Sequence, residues 1–205
     1  EFELGYTHGR ISRTSRVGEP CYQLMVSTEM ATGVYDAIVE SGTSVSLAHV
    51  GQHAWRSLCM EKSARNWGEV IGERETPCDA GLDDLVSTTR TNFIGAKAVG
   101  EKPRAKHRRK KLVSFLLQDP QPQLYVNEPI LRENEIVGYV CSAMYGHTVG
   151  GAIGMGYIEC AGRSDNDIST ASYEIDIAGE RYHARASVDC FYGPENLRDR
   201  NRAAI

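Results

Sequence analysis

Seven of the eleven residues from Glu101 to Lys111 are basic: Lys102, Arg104, Lys106, Arg108, Arg109, Lys110 and Lys111. That run carries +6, while the whole chain sums to −4. Such a stretch can grip the phosphates of a nucleic acid or another polyanion. It holds no interleaved aromatic rings on which bases would stack, and a solvated linker or the charged approach to a strand is the simpler reading. Metal and redox chemistry have less to stand on. Cys21, Cys59, Cys78, Cys141, Cys160 and Cys190 include no C-x-x-C pair. With His8, His49, His53, His107, His147 and His183 they form no cluster of zinc-ligand spacing. An even count permits disulfides, but scattered thiols fit a reducing compartment better. No G-x-G-x-x-G string occurs, and the glycine-rich stretch from Gly146 to Gly156 has the wrong spacing for a dinucleotide loop.

The elements that would position these groups are those of an ordinary globular chain. Its 205 residues suffice for one or two domains. With 41% apolar and 24% charged residues, it is neither disordered, collagenous nor a dense disulfide scaffold. No apolar run approaches the ~18 residues of a membrane span. The start, Glu1-Phe2-Glu3-Leu4, has neither an initiator Met nor a signal pattern, and reads as the interior of a longer chain.

The first hundred residues alternate strand and helix patterns. Tyr22-Gln23-Leu24-Met25-Val26 reads as a strand. Ser27 or Thr28 then caps a helix carrying Ala31, Val34, Tyr35 and Ile38, ended by Gly42. A second helix is expected from Gln52 to Arg65, with Ala54, Trp55, Leu58 and Cys59 on its apolar face. A third is expected from Thr91 to Lys97, with Phe93, Ile94 and Ala98 facing inward. From Leu112 to about residue 192 the pattern is nearly all strand. Leu112 to Leu117, Pro129 to Leu131, Ile136 to Val140, Ile153 to Ile158, Tyr173 to Ile177 and Tyr182 to Val188 alternate between turns. Many short strands with glycine-containing turns indicate a small barrel or sandwich able to fold alone.

Several strings then carry a resemblance. Ser15-Arg16-Val17-Gly18-Glu19-Pro20-Cys21-Tyr22-Gln23-Leu24 resembles S-Y-V-G-E-x-G-W-E-L. Ser57-Leu58-Cys59-Met60-Glu61-Lys62 resembles S-L-R-L-E-K, and Trp67-Gly68 follows it. Thr76-Pro77-Cys78-Asp79-Ala80-Gly81-Leu82 resembles T-P-L-E-A-G-L, and Asn92-Phe93-Ile94-Gly95 resembles D-F-I-G. Asn127 to Ile130, Glu135 to Val140, Tyr145-Gly146-His147-Thr148 and Ile153 to Ile158 complete the set. In this order the chain resembles the aminomethyltransferase family, over about residues 10 to 195. That family comprises the glycine cleavage system T-protein and the C-terminal halves of dimethylglycine and sarcosine dehydrogenases.

The resemblance implies an α+β fold: residues 1–100 as the C-terminal part of a folate-binding domain, and 101–205 as a small antiparallel β-barrel. It implies tetrahydrofolate as acceptor of a methylene unit from a methylated amine. FAD would be bound only by a separate upstream domain, not by this chain. It places Gln23 where the family has a pterin-reading Glu, with Tyr22 beside it. An amide keeps one acceptor but loses the charge. Glu61 matches the family pattern, as ligand or as structural partner. Trp67 matches an aromatic that lines the folate cavity, and Tyr145 and His147 lie in a barrel loop facing it. Trp55 and Cys59 stand where the pattern has arginines, and Arg56 where it has Asp. The family's catalytic Asp falls before residue 1, so the chain alone is expected to be an incomplete, inactive portion. The implied compartment is the bacterial cytoplasm or the mitochondrial matrix. Two alternatives stand beside this reading: a non-catalytic folate-binding or regulatory module of the same fold, and an RNA-binding protein using residues 102–111.

Overall fold

Alternation around Ile11 and in Cys21-Tyr22-Gln23-Leu24-Met25 makes hairpin strands of the N-terminal residues. In the computed structural model, which describes residues 2–4, 7–87, 89–101, 109–160 and 162–193, β1 (Phe2–Leu4), β2 (Thr7–Thr14) and β3 (Cys21–Met25) form an antiparallel sheet in that order. A single 3-10 turn, Thr28–Met30, leads into α1 (Ala31–Gly42). Ser27 precedes that turn but its side chain makes no capping bond. The turn satisfies itself through the backbone, Met30 N–H donating to Ser27 O at 3.1 Å. Of the expected apolar face, Val34 is buried and Ile38 half-buried, while Ala31 and Tyr35 are exposed. Tyr35 stacks instead on His49, with ring centroids 5.8 Å apart. The chain falls into two compact units, residues 1–55 and 56–205.

α2 (Gln52–Glu61) crosses that division and is shorter than its periodicity suggests. It stops where Ser63 adopts the left-handed region, with φ 51°. Its buried residues are Ser57, Cys59, Met60 and Glu61, whereas Ala54 and Leu58 are exposed. The expected apolar stripe is thus rotated, because polar groups of the last turn are buried against barrel backbone. The expected helix at Thr91–Lys97 is displaced to α3 (Ala96–Glu101), and Phe93 and Ile94 are exposed. Gly95, with φ +88°, interrupts the stretch, so the helix can begin only after it.

The second unit is built on six strands: β4 (Lys110–Leu117), β5 (Pro129–Arg132), β6 (Glu135–Gly146), β7 (Gly151–Glu159), β8 (Tyr173–Ile177) and β9 (Glu180–Ser187). They close into an antiparallel barrel in the order β4-β7-β6-β5-β8-β9, and β9 returns to pair with β4. Val113, Phe115, Ile130, Val140, Ile158, Tyr173 and Ile175 fill the interior at 0–1% exposure. The barrel is narrow. A Cβ on Gly156 would lie 2.6 Å from Tyr139 O, and one on Gly154 would lie 2.5 Å from Leu124 Cδ2. A six-residue helix the sequence reading did not include, α4 (Asp165–Thr170), carries Ile168 into the same core. Its Ser164–Asp167 capping box satisfies the first N–H groups. Together these parts make an α+β chain ending in a closed six-stranded barrel.

Candidate functional site

The outer face of the barrel is covered by its own chain. Residues 56–81 run over β4, β6 and β7, and Met60 and Val70 pack against Leu112, Ile153 and Met155. Polar bonds fasten this strap along its length. Ser57 Oγ donates to Tyr145 O at 2.7 Å, and Ser63 and Ser114 hydroxyls meet at 2.8 Å. Lys110 Nζ reaches Glu75 at 2.7 Å, and Leu112 N–H donates to Asp79 O at 2.8 Å.

The most deeply buried charged group of the strap among the described residues is Glu61, 1% exposed. Its Oε1 accepts from the N–H groups of Thr148 at 2.6 Å and Val149 at 3.3 Å. Tyr192 N–H donates to the Glu61 carbonyl at 3.2 Å. The helix end thereby holds the β6–β7 turn, residues 147–150. The turn also needs Gly146, where a Cβ would fall 2.6 Å from Val149 Cγ2 and 3.2 Å from Glu61 Oε1. Presented by this arrangement are half-buried Tyr145 and exposed His147, their rings 5.1 Å apart and tilted by 58°. Of the sequence-derived site residues, Glu61, Tyr145 and His147 therefore come together. Trp67 stands in a separate turn of the strap, bridged to Ile71 and 73% exposed.

Tyr22 and Gln23 belong to the first unit. Both are exposed on β3, opposite Arg13 and Ser12 of β2. Strand alternation sends their side chains to opposite faces of the sheet. Trp55, half-buried, lies under the Arg16 guanidinium, 5.9 Å from the ring centroid, and Cys59 is buried at 3%.

One cluster escaped the sequence reading. Glu69 Oε1 accepts from Arg56 at 2.6 Å and Ser142 at 2.8 Å, and its Oε2 from Asn66 at 3.3 Å. Burial pushes the Glu69 carboxyl upward, but the bonds from Ser142, Arg56 and Asn66 outweigh it, and it titrates below its usual value. These four residues, with Met60, Met144 and Met155, line a cleft of about 240 Å³ including the space open to solvent. Its enclosed part is only about 10 Å³, room for a water and far below a small-molecule site. Its only sequence signal is the Arg56 and Glu69 charges, thirteen positions apart. Nearby Cys141 donates to Met155 O, and burial raises its thiol to about 11, leaving it a weak nucleophile. The six cysteines form no disulfide.

The second unit is thus a closed barrel fastened by a polar strap from the segment that precedes it. Residues 110–193 match the family model of the glycine cleavage T-protein C-terminal barrel domain, and residues 1–90 that of the GCVT N-terminal domain. The chain belongs to the aminomethyltransferase family. It is 35% identical over 205 residues to the 4-methylaminobutanoate oxidase (formaldehyde-forming) of Paenarthrobacter nicotinovorans, covering 94% of this chain and 24% of the relative. It is 29% identical to the mitochondrial pyruvate dehydrogenase phosphatase regulatory subunit of Mus musculus, covering 92% of this chain and 23% of the relative. The glycine cleavage system aminomethyltransferase T of Bartonella henselae superposes with a TM-score of 0.75 at 21% identity, over 90% of this chain and 50% of that one. The chain thus spans about a quarter of the length of these two curated relatives.

Proposed function

We propose that this chain is the C-terminal portion of a tetrahydrofolate-dependent one-carbon-transfer protein acting on a methylated amine. The observation that carries the reading is the latched turn: Glu61 of the strap bonds the backbone at Thr148 and Val149 and so fixes Tyr145 and His147. The residues suit a flat heteroaromatic ligand in kind. Trp67 and Tyr145 offer stacking faces. Gln23 offers an amide acceptor and donor for a pterin edge. Folate, when bound, supplies the nitrogens that accept the one-carbon unit. In the second unit Trp67 and Tyr145 would hold it by ring contact and His147 by a ring nitrogen at the turn; Gln23, in the first unit, is given its pterin contact by the family resemblance alone. Glu61 serves as the latch through Oε1, which accepts from two backbone N–H groups, while its buried Oε2 has no hydrogen-bond partner and is the oxygen left for a ligand. Arg56 is paired with Glu69 through Nη2.

Calorimetry with tetrahydrofolate tests this reading. The isolated chain binds it weakly, and Gln23→Glu tightens binding by about 1 kcal/mol through a charge-assisted contact. Equal or weaker binding by Gln23→Glu removes Gln23 from the site. FAD enters only if an upstream flavin domain exists.

A second reading, a non-catalytic regulatory module on the same fold, is favoured by the similarity to a regulatory subunit and by the amide at Gln23. A full-length protein that binds folate without turnover supports it; turnover rules it out. The RNA-binding alternative rests on residues 102–111, of which 102–108 lie outside the described residues. Lys110 and Lys111 are paired with Glu75 and Asp165.

A further inference from the structure

The barrel interior is apolar except at the end closed by α4. There Lys111 continues the inward face of Val113 and Phe115, and Arg132 continues that of Ile130. Lys111 is paired with Asp165 of α4. Arg132, 9% exposed, has no carboxylate partner among the described residues. Its Nε and Nη1 are buried without a hydrogen-bond partner, and so is the hydroxyl of Tyr173, itself 1% exposed. The three atoms belong to neighbours. Leu131 pairs with Glu174 across β5 and β8, so Arg132 stands opposite Tyr173 one step further. Burial raises the Tyr173 phenol; the Arg132 side chain, near enough to bond the phenol oxygen though outside strict hydrogen-bond geometry, and the charges of Arg132 and exposed Arg163 oppose that rise, which leaves the phenol O–H as the unpartnered donor.

A guanidinium does not escape this position by losing its proton. An unpaired buried charge is among the least favourable features a core can hold. A water would satisfy an N–H group but leave the charge uncompensated. We propose that the α4 end of the barrel is a binding site for a small oxyanion, a phosphate or carboxylate group, held by Arg132 and Tyr173 with Arg163 at its rim. The anion accepts from the Arg132 N–H groups and the Tyr173 hydroxyl and supplies the missing countercharge. The site is remote from the latched turn. β6 runs from Glu135, beside Arg132, to Gly146, a strand of roughly 35 Å at the usual rise. It does not depend on the folate reading.

The test titrates inorganic phosphate into the 205-residue chain at constant ionic strength, following the melting temperature and the phosphorus NMR linewidth. Sulfate, acetate and chloride form parallel arms. The wild-type melting temperature rises and saturates with phosphate or acetate, and whichever saturates at the lower concentration identifies the ligand group. Arg132→Met, checked for native circular dichroism, loses the saturable rise. Tyr173→Phe, which keeps the core ring, binds about 10- to 100-fold more weakly. Should Arg132→Met fail to fold, Tyr173→Phe decides: binding as tight as wild type overturns the proposal. It is also overturned by the absence of saturable binding in wild type, by an equal response to chloride, or by an unchanged response in folded Arg132→Met, which means an adventitious ion only.

Discussion

The sheet of β1–β3 and the barrel of β4–β9 are both made of antiparallel hairpins, but they differ in what they enclose. In the sheet, Ile11, Tyr22, Leu24 and Met25 are 39–59% exposed. In the barrel, Phe115, Ile130, Ile153 and Ile175 are wholly buried. Closure removes the strand edges and gives each inward residue partners on every side. A three-stranded sheet with exposed apolar side chains gains little from burial. Hairpin strands in both regions thus bury unequal apolar surface, and burial favours the barrel with its strap as the more stable region.

The comparison is sharpened first by truncation. We propose that the working boundary of the barrel unit lies at Arg56, since a chain starting at residue 101 uncovers Leu112, Ile153 and Met155. Against residues 56–205, the shorter fragment should lose roughly 5 kcal/mol, from ~1.5–3 kcal/mol per uncovered apolar side chain, measured by urea unfolding. Equal stability would make the strap an ornament. Next, Phe115→Ala should destabilise by about 3–5 kcal/mol, whereas Tyr22→Ala should change stability by under about 0.5 kcal/mol. Chemical denaturation of both variants compares the regions directly, and similar losses would break the contrast.

Acid should act on the strap before the barrel interior. Glu75 titrates low chiefly because of its hydrogen bond from Lys110; Glu69 does so through Ser142, Arg56 and Asn66, against the upward push of burial. Both carboxyls are more acidic folded than unfolded. Their contribution is therefore complete above about pH 4.5, the usual value, and is lost as pH falls through the lower folded values. Unfolding midpoints followed from pH 6 downward should decline, with a shallower decline in Glu75→Gln. Identical slopes in the two proteins would remove Glu75 from the account. The smallest effect should fall on the open unit and carry the opposite sign. Gly33 lies in α1 with nothing within 4 Å of an added Cβ. Gly33→Ala should stabilise the first unit by about 0.5–1 kcal/mol, visible as increased local protection in hydrogen exchange.

The barrel was legible in the sequence because burial on one face imposes a period of two. The strands around Phe115, Ile130, Val140, Tyr173 and Ala186 follow it, and Glu133 and Asn134 turn the β5–β6 hairpin in the left-handed region. β2 was not legible: within Thr7–Thr14 only Ile11 is strongly apolar, because the strand is half-exposed. The buried face of α2 was misread for a different reason. Ser57 and Glu61 are buried to bond barrel backbone, and hydrophobic periodicity registers no buried carboxylate. Among the site residues, the family strings located Glu61, Tyr145 and His147, but the Arg56–Glu69–Ser142 cluster joins parts of the chain that no string links.

The latch at Glu61 has an evolutionary consequence. It grips the chain by main-chain amides, which every residue but proline possesses. The exposed side chains of His147 and Thr148 take no part in holding the turn and can be exchanged while its shape persists. A fixed loop with interchangeable letters lets new ligand preferences be sampled without each trial risking the fold. Glu61, Gly146 and Gly150, the last with φ +76°, are positions that such drift must leave alone.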